Sequence, residues 1–254
     1  MAVVFSIINN KGGTGKTTTT LNLGAALQRA GKKVLFVDFD SQNNLSTSIG
    51  INGVNQHVGT LLLGQAGVDE VIKENNGYSI IPASDKLLDF EYMINNEPGR
   101  EYLLKEALED IRSRYDYILI DCPPSLGTLS TNSLVAADFF IVPMQAENFA
   151  FIGLDKILHI AGKVKKRMNE NLELAGILLI RFSSRTRFAH AVVSNIQNNE
   201  NLKDKLFSSR IRQDIALMES AAFGQTIFDY APYSRGALDY KQFANEITKK
   251  YGKK

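Results

Sequence analysis

The residues whose types and spacing could do chemistry cluster first at Lys11-Gly12-Gly13-Thr14-Gly15-Lys16-Thr17-Thr18. Glycines take backbone angles closed to other residues, so consecutive N–H groups in this stretch can converge on one anion. Lys16 would reach the β- and γ-phosphates of a nucleotide, and the Thr17 hydroxyl would ligate Mg²⁺. Two further carboxylates extend the set. Asp40 follows an apolar run, Val34-Leu35-Phe36-Val37, and Asp121 closes another, Tyr117-Ile118-Leu119-Ile120. A phosphate-binding lysine, a metal-binding hydroxyl and acidic residues at strand ends are the parts that nucleotide hydrolysis requires.

Those side chains work only if the right elements carry them. Residues 3–8 read as a buried strand, and residues 19–27 place leucine and alanine at helical spacing. Strand, glycine-rich turn and helix in that order are the context of a phosphate-binding loop, with the helix N-terminus adding unpaired donors and partial positive charge. The alternative, a glycine turn that merely closes a strand–helix corner, leaves Lys16-Thr17 unexplained. The strict loop pattern wants Gly where Asn10 stands; Lys11 instead occupies the front of the loop.

Alternation along the chain puts Asp38 and Asp40 on one side, where they could serve Mg²⁺ and a water. Asp38 reads equally well as the cap of the turn that follows it. Asp121 ends a run of apolar residues, the pattern of a buried parallel strand delivering a carboxylate to the ligand edge, so it is expected to hold Mg²⁺ directly or through water. After it, Pro123-Pro124-Ser125-Leu126-Gly127 is rigid and then free to turn, which suits a segment that senses the γ-phosphate. Cys122 reads as a buried small hydrophobe.

The chain has 254 residues and 44% hydrophobic content, enough to bury a sizeable core as one domain spanning 1–254. One cysteine excludes an intramolecular disulfide and a zinc ribbon. No basic stretch precedes the first strand and no apolar run is long enough for a bilayer, so a cytoplasmic protein without a secretory leader is expected. Net charge is +2, but unevenly spread: residues 1–160 carry 12 Lys/Arg against 18 Asp/Glu, and residues 161–254 carry 17 against 9. A basic back half points to a polyanionic partner or to an ordinary solvated surface, and charge alone does not choose.

Between the motifs the reading is scaffold. Short helices are expected at 58–63, 68–74 and 87–93 around a strand at 78–82, with a longer amphipathic helix over 100–114. Strands follow at 139–144 and 174–180, with a long helix over 152–168 between them.

Lys-Gly-Gly-x-Gly-Lys-Thr-Thr resembles, at every defined position, the deviant loop of the ParA/MinD group of P-loop ATPases. Asp38-Phe39-Asp40-Ser41-Gln42 resembles that group's Asp-x-Asp-Pro-Gln, with Ser41 in place of Pro, and Asp121-Cys122-Pro123-Pro124 its Asp-x-Pro-Pro. Tyr230-Ala231-Pro232-Tyr233-Ser234-Arg235-Gly236 keeps the Tyr-x-Pro-x-Ser-x-Gly pattern. Two departures stand out. Ser183 replaces an Asp before Arg185-Thr186, and Arg212 replaces the Pro that commonly lies near adenine.

The resemblance covers nearly the whole chain. It implies an α/β fold with a mostly parallel sheet between helix layers, and an ATPase using ATP/ADP and Mg²⁺, with Asp40 orienting the attacking water. It also implies a homodimer sandwiching nucleotide, in which Lys11 crosses to the partner's phosphates. Non-specific double-stranded DNA and a stimulating ParB-like adaptor would be its partners, with nucleoid association. Candidates for DNA contact are Arg185, Arg187, Arg210, Arg235, Lys249 and Lys250, although Ala216 stands where some relatives carry a basic residue. Three other readings compete with this one. A MinD-like membrane ATPase needs a lipid-facing C-terminal helix, whereas Phe243, Ile247 and Tyr251 read as a core face ahead of the final Gly252-Lys253-Lys254. An iron–sulfur reductase of this group needs paired cysteines and is excluded. A ParA-like ATPase that positions a protein cargo stays open.

Overall fold

Apolar runs buried on both faces require a sheet covered on both sides, and this is what the chain builds. The structure, a computed structural model, describes residues 1–147 and 150–252. Lys253 and Lys254 of the basic tail lie outside the described residues. The strands are β1 (Val3–Ile7), β2 (Val34–Asp38), β3 (Lys73–Asn75), β4 (Tyr78–Ile81), β5 (Tyr117–Asp121), β6 (Phe139–Gln145), β7 (Glu173–Phe182) and β8 (Leu206–Arg212). They form one sheet in the order β3-β4-β2-β5-β1-β6-β7-β8, parallel except for the β3–β4 edge pair.

Side-chain alternation divides the interior into two cores. Val4, Leu35, Val37, Ile118, Ile120 and Val142 enter one, together with the helices Thr128–Ala136 and Ala150–Arg167. Val3, Phe5, Val34, Phe36, Leu119 and Leu178 enter the other, beneath the helices Lys16–Arg29 and Arg235–Tyr251. The C-terminal helix seats Phe243 and Ile247 at 0% exposure and turns the Tyr251 hydroxyl to the Ala175 carbonyl at 2.9 Å. Its apolar stripe is core, as the sequence suggested.

Several boundaries differ from expectation. The helix expected over 68–74 stops at Val71, and Lys73–Asn75 turns back as an edge strand. Asn76 and Gly77, at φ of 50° and 78°, make the reversal. An Asn-Gly pair between two short runs is a hairpin signal, and it was there to be read. The helix expected over 100–114 is confined to Leu103–Glu109, with turns on either side. Strand β8 was not anticipated, because its inward positions, Phe207, Ser209 and Ile211, include a buried serine that hides the alternation.

Gly24 sets how closely the helix Lys16–Arg29 can lie on the sheet. A Cβ there would fall 2.2 Å from Phe36 Cε1 and Cζ and 3.2 Å from Leu119 Cδ1. Both are core side chains without room to yield. Gly24→Val should therefore lower unfolding free energy by about 1–3 kcal/mol, read as a drop in urea midpoint at unchanged slope.

Candidate functional site

Strand β1 ends at the centre of the sheet with β5 on one side and β6 on the other, so the loop that follows opens onto the crevice where the strand order reverses. The loop is held from below and from the side. Asn9 Nδ2 donates to the Pro143 carbonyl at 2.7 Å, and Gln145 Nε2 donates to the Gly13 carbonyl at 2.9 Å. Gly13 and Gly15 take φ of 73° and 68°. Gly15 is required twice over, because a Cβ there would also lie 2.6 Å from Ile180 Cδ1. Lys16 then opens the helix, buried at 6% exposure, with its Nζ 3.4 Å from the Lys11 carbonyl. Thr14 caps the same carbonyl at 3.0 Å, while Thr17 and Thr18 stay half-exposed on the first helical turn.

Asp121 lies opposite Ile7 on β1 and Asp38 on β2, fully buried. Its Oδ1 is 3.5 Å from Thr20 Oγ1, and its Oδ2 is buried without any hydrogen-bond partner. Burial, and then the negative charge of Asp38, push its pKa well above the usual carboxylate range; the Thr17 hydroxyl and Lys16 ammonium pull the other way. An orphaned carboxylate oxygen beside a threonine hydroxyl and a phosphate loop is a hard-oxygen donor set of the kind Mg²⁺ takes. The residues present fit that ion. Among the described residues no group of three or more His, Cys, Asp or Glu could hold a metal, so such an ion would complete its shell with phosphate and water.

The two carboxylates at and after the end of β2 have different employment. Asp38 accepts from Ser46 N at 2.8 Å, Ser46 Oγ at 2.7 Å and Asp40 N at 3.1 Å. It anchors the turn into the short helix Asn44–Ser48, the capping role that the sequence also offered for this residue. Asp40 accepts only from Gln42 N, at 3.0 Å, and is 7% exposed at the carboxyl edge of the strand. Cys122 is buried as expected, but between polar neighbours, Ser6 Oγ at 3.1 Å and Ser133 Oγ at 3.0 Å; burial pushes its thiol up to about 11.

Beside the loop opens a cavity of about 550 Å³, lined by Gly15, Thr18, Ile180, Leu217, Met218 and Tyr240 among others. Arg181, in the left-handed region at φ 47°, turns the chain at its mouth and was not singled out from sequence. Arg212 borders the cavity, but its guanidinium is turned to Asp239, which receives Nε at 3.0 Å and Nη2 at 2.7 Å. Arg212, the nucleotide-binding candidate that stands in place of the Pro near adenine, is thus part of the cavity wall.

The basic candidates fall into two groups. Arg185, Arg210 and Arg235 line one cleft with Phe182 and Arg212, Arg210 lying half-buried with its guanidinium 5.9 Å from the Phe182 ring centre. Arg187 opens the neighbouring helix, Arg187–Asn198. Lys249 and Lys250 sit at the far end of the helix Arg235–Tyr251, roughly 20 Å from Arg235 at 1.5 Å per residue. Lys250 is paired there with Glu246 at 3.4 Å. Lys250 Nζ also lies 5.3 Å from the Phe207 ring centre, and Glu246 accepts from Ser208 N, so this helix end meets β8 beside the cleft.

A mostly parallel sheet, a glycine-rich loop between β1 and a helix, and an acidic residue on the adjacent strand define a P-loop NTPase. A family model described as "AAA domain" matches residues 2–174. The sporulation initiation inhibitor protein Soj of Bacillus subtilis is 39% identical over 251 residues, 97% of this chain and 98% of that protein. The chromosome-partitioning ATPase Soj of Treponema pallidum is 37% identical over 257 residues, covering 100% of each chain. The crystal structure of cobyrinic acid a,c-diamide synthase from Mycobacterium smegmatis, with bound ADP and magnesium, superposes with a TM-score of 0.86 at 33% identity. It covers 100% of this chain and 98% of that one. The chain belongs to the ParA/Soj family of partition ATPases.

The buried carboxylates give the metal-free protein a pH signature. Burial, partly offset by its hydrogen bonds, raises Asp38 from 3.8 to about 6, so the folded state binds more protons than the unfolded one between these values. That contribution to stability is lost as pH rises through this window. His57, lowered chiefly by burial, works in the opposite sense below 6.5. Comparison with Asp38→Asn removes it: in Mg²⁺-free urea titrations from pH 5 to pH 7, wild type should lose stability relative to Asp38→Asn. Parallel curves would mean that Asp38 ionises normally.

Proposed function

We propose that this chain is an ATPase that dimerises around ATP, hydrolyses it slowly, and positions cargo by holding double-stranded DNA without reading its sequence. The observation that carries the reading is the unpartnered Asp121 Oδ2 facing a loop built by Gly13, Gly15, Lys16 and Thr17. The backbone N–H groups of residues 12–18 and the Lys16 ammonium would bind the phosphates of ATP, with the base in the adjoining cavity. Mg²⁺, held by Thr17 and Asp121 with phosphate oxygens and water, would neutralise charge developing on the phosphates. Asp40 would orient a water whose oxygen attacks the γ-phosphorus as the bond to the bridging oxygen breaks and ADP leaves.

Lys11, exposed at the front of the loop, is assigned to the partner subunit's phosphates. Dimerisation and ATP binding then become one linked equilibrium. A ParB-like adaptor would stimulate turnover, and the DNA would be that of the nucleoid in the cytoplasm. A protein cargo carried on the same DNA-bound dimer is the second reading. Stable membrane attachment is not proposed, because the apolar stripe of the last helix is buried and no described helix is long and apolar enough to cross a bilayer.

Three substitutions separate these roles. Asp40→Ala should retain ATP binding and lose about 10²–10⁴-fold in turnover. Lys16→Ala should lose nucleotide affinity. Lys11→Ala should bind ATP yet remain monomeric in size-exclusion chromatography with light scattering. Normal turnover in Asp40→Ala would remove that residue from the mechanism.

DNA contact is expected at the cleft of Arg185, Arg210 and Arg235, through phosphates rather than base edges. Unrelated duplexes should bind the ATP form alike, with affinity falling by about 0.9 log units per phosphate neutralised for each tenfold rise in salt. Changing these three arginines together to Ala should abolish binding, whereas Lys249→Ala with Lys250→Ala should cost less. Equal affinity of apo, ADP and ATP forms would sink the nucleotide gating.

A further inference from the structure

Strand β6 and the residues just after it grip the front of the phosphate loop at positions 143, 145 and 147. The Pro143 carbonyl receives Asn9 Nδ2 at 2.7 Å, and Gln145 Nε2 reaches the Gly13 carbonyl at 2.9 Å. Two residues further on, Glu147 Oε2 receives Lys11 Nζ at 2.7 Å. The first two contacts go to backbone or to a short side chain and fix the shape of the loop. The third fixes only the position of one ammonium group, on side chains that are 62% and 47% exposed.

That ammonium has two places to go. The Lys11 carbonyl lies 3.4 Å from Lys16 Nζ, so Lys11 is rooted beside the phosphate site of its own subunit. A flexible, cationic side chain anchored there would be drawn to the polyphosphate that Lys16 holds. A lysine folded back in this way would add to ATP affinity but could no longer reach outward. The ion pair with Glu147 opposes that collapse.

We propose that Glu147 is the positioning residue for Lys11: its carboxylate keeps the ammonium outside the phosphate site of its own subunit and presents it to a second copy. This rests on the assignment of Lys11 to the partner's phosphates. The carboxylate does not itself need to touch nucleotide, and it acts only through Lys11. An exposed ion pair is a modest restraint, worth about two- to fivefold in an equilibrium. A bias of that size suits a contact that must yield when the partner's phosphates arrive, since a stronger pair would compete with them.

The test uses the full chain as wild type, Glu147→Gln, Glu147→Asp, Lys11→Ala, and Lys11→Ala with Glu147→Gln. Two quantities are measured with a non-hydrolysable ATP analogue and Mg²⁺. One is nucleotide affinity at protein concentrations low enough to keep it monomeric; the other is the dimer dissociation constant from sedimentation. Glu147→Gln should bind nucleotide about two- to fivefold more tightly as a monomer and dimerise about two- to fivefold more weakly, with Glu147→Asp restoring part of both. In the Lys11→Ala background, Glu147→Gln should leave nucleotide affinity unchanged, and neither variant should dimerise. Unchanged values in Glu147→Gln, tighter dimerisation, or an equal effect with Lys11 absent would each overturn the proposal. The assignment of Lys11 fails separately: Lys11→Ala would then dimerise like wild type, while the monomer affinities would still report whether Glu147 restrains Lys11.

Discussion

A carboxylate oxygen buried in the middle of a sheet with nothing to donate to it is the constraint on which the rest of this molecule depends. Asp121 Oδ2 is in that position, and the Thr17 hydroxyl and Lys16 ammonium offset its burial only in part. Left ionised, such a group costs several kcal/mol, and the local response is a pKa pushed upward by burial and by the charge of Asp38. A divalent cation removes the problem. Protonation or a bound cation would each relieve that cost, and the carboxylate lies within reach of the phosphate-loop residues Lys16 and Thr17. The neighbouring residues respect the arrangement. Ser46 satisfies Asp38 from behind, which leaves Asp40 alone at the strand edge.

The two cores hold this arrangement rigid from opposite sides. Strands β1, β2 and β5, which lead into the loop, carry Asp38 and Asp121 and place Asp40 just beyond β2, are buried at every residue. The helix that follows the loop is pressed onto the sheet at Gly24, so the N-terminal donors of that helix have little freedom relative to Asp121. Preorganisation of this kind is how a weakly reactive set of groups becomes a binding site for a highly charged ligand. The periphery is looser in design. Chain segments with exposed side chains carry the basic cleft, the Lys11–Glu147 pair and the edge hairpin.

How much of this could be read beforehand follows the same division. The phosphate loop and Asp121 were legible because their chemistry needs particular residues next to particular strands, and the local sequence carries both. The doubly covered sheet was legible for the same reason, from continuous apolar runs. Asp38 was ambiguous in sequence because a turn cap and a metal ligand call for the same residue, and only Ser46, eight positions away, decides between them. Strand β8 was hidden by Ser209, whose burial makes no mark on a hydrophobic pattern. The Arg212–Asp239 pair joins residues 27 positions apart, and its geometry has no sequence signature. Helix length over 100–114 was overestimated because periodicity marks a face but not where the backbone leaves it.

Arg212 has a standing that no other basic residue here shares. It borders both the cavity beside the phosphate loop and the arginine cleft, and Asp239 holds it from within the C-terminal helix. The two compartments therefore share a wall, made by Arg212 and Gln213, with Asp239 bracing the arginine. An occupant that drew the guanidinium toward one side would change the wall of the other space as well. By reciprocity, whatever one occupant does to the affinity of the second, the second does to the first in equal measure.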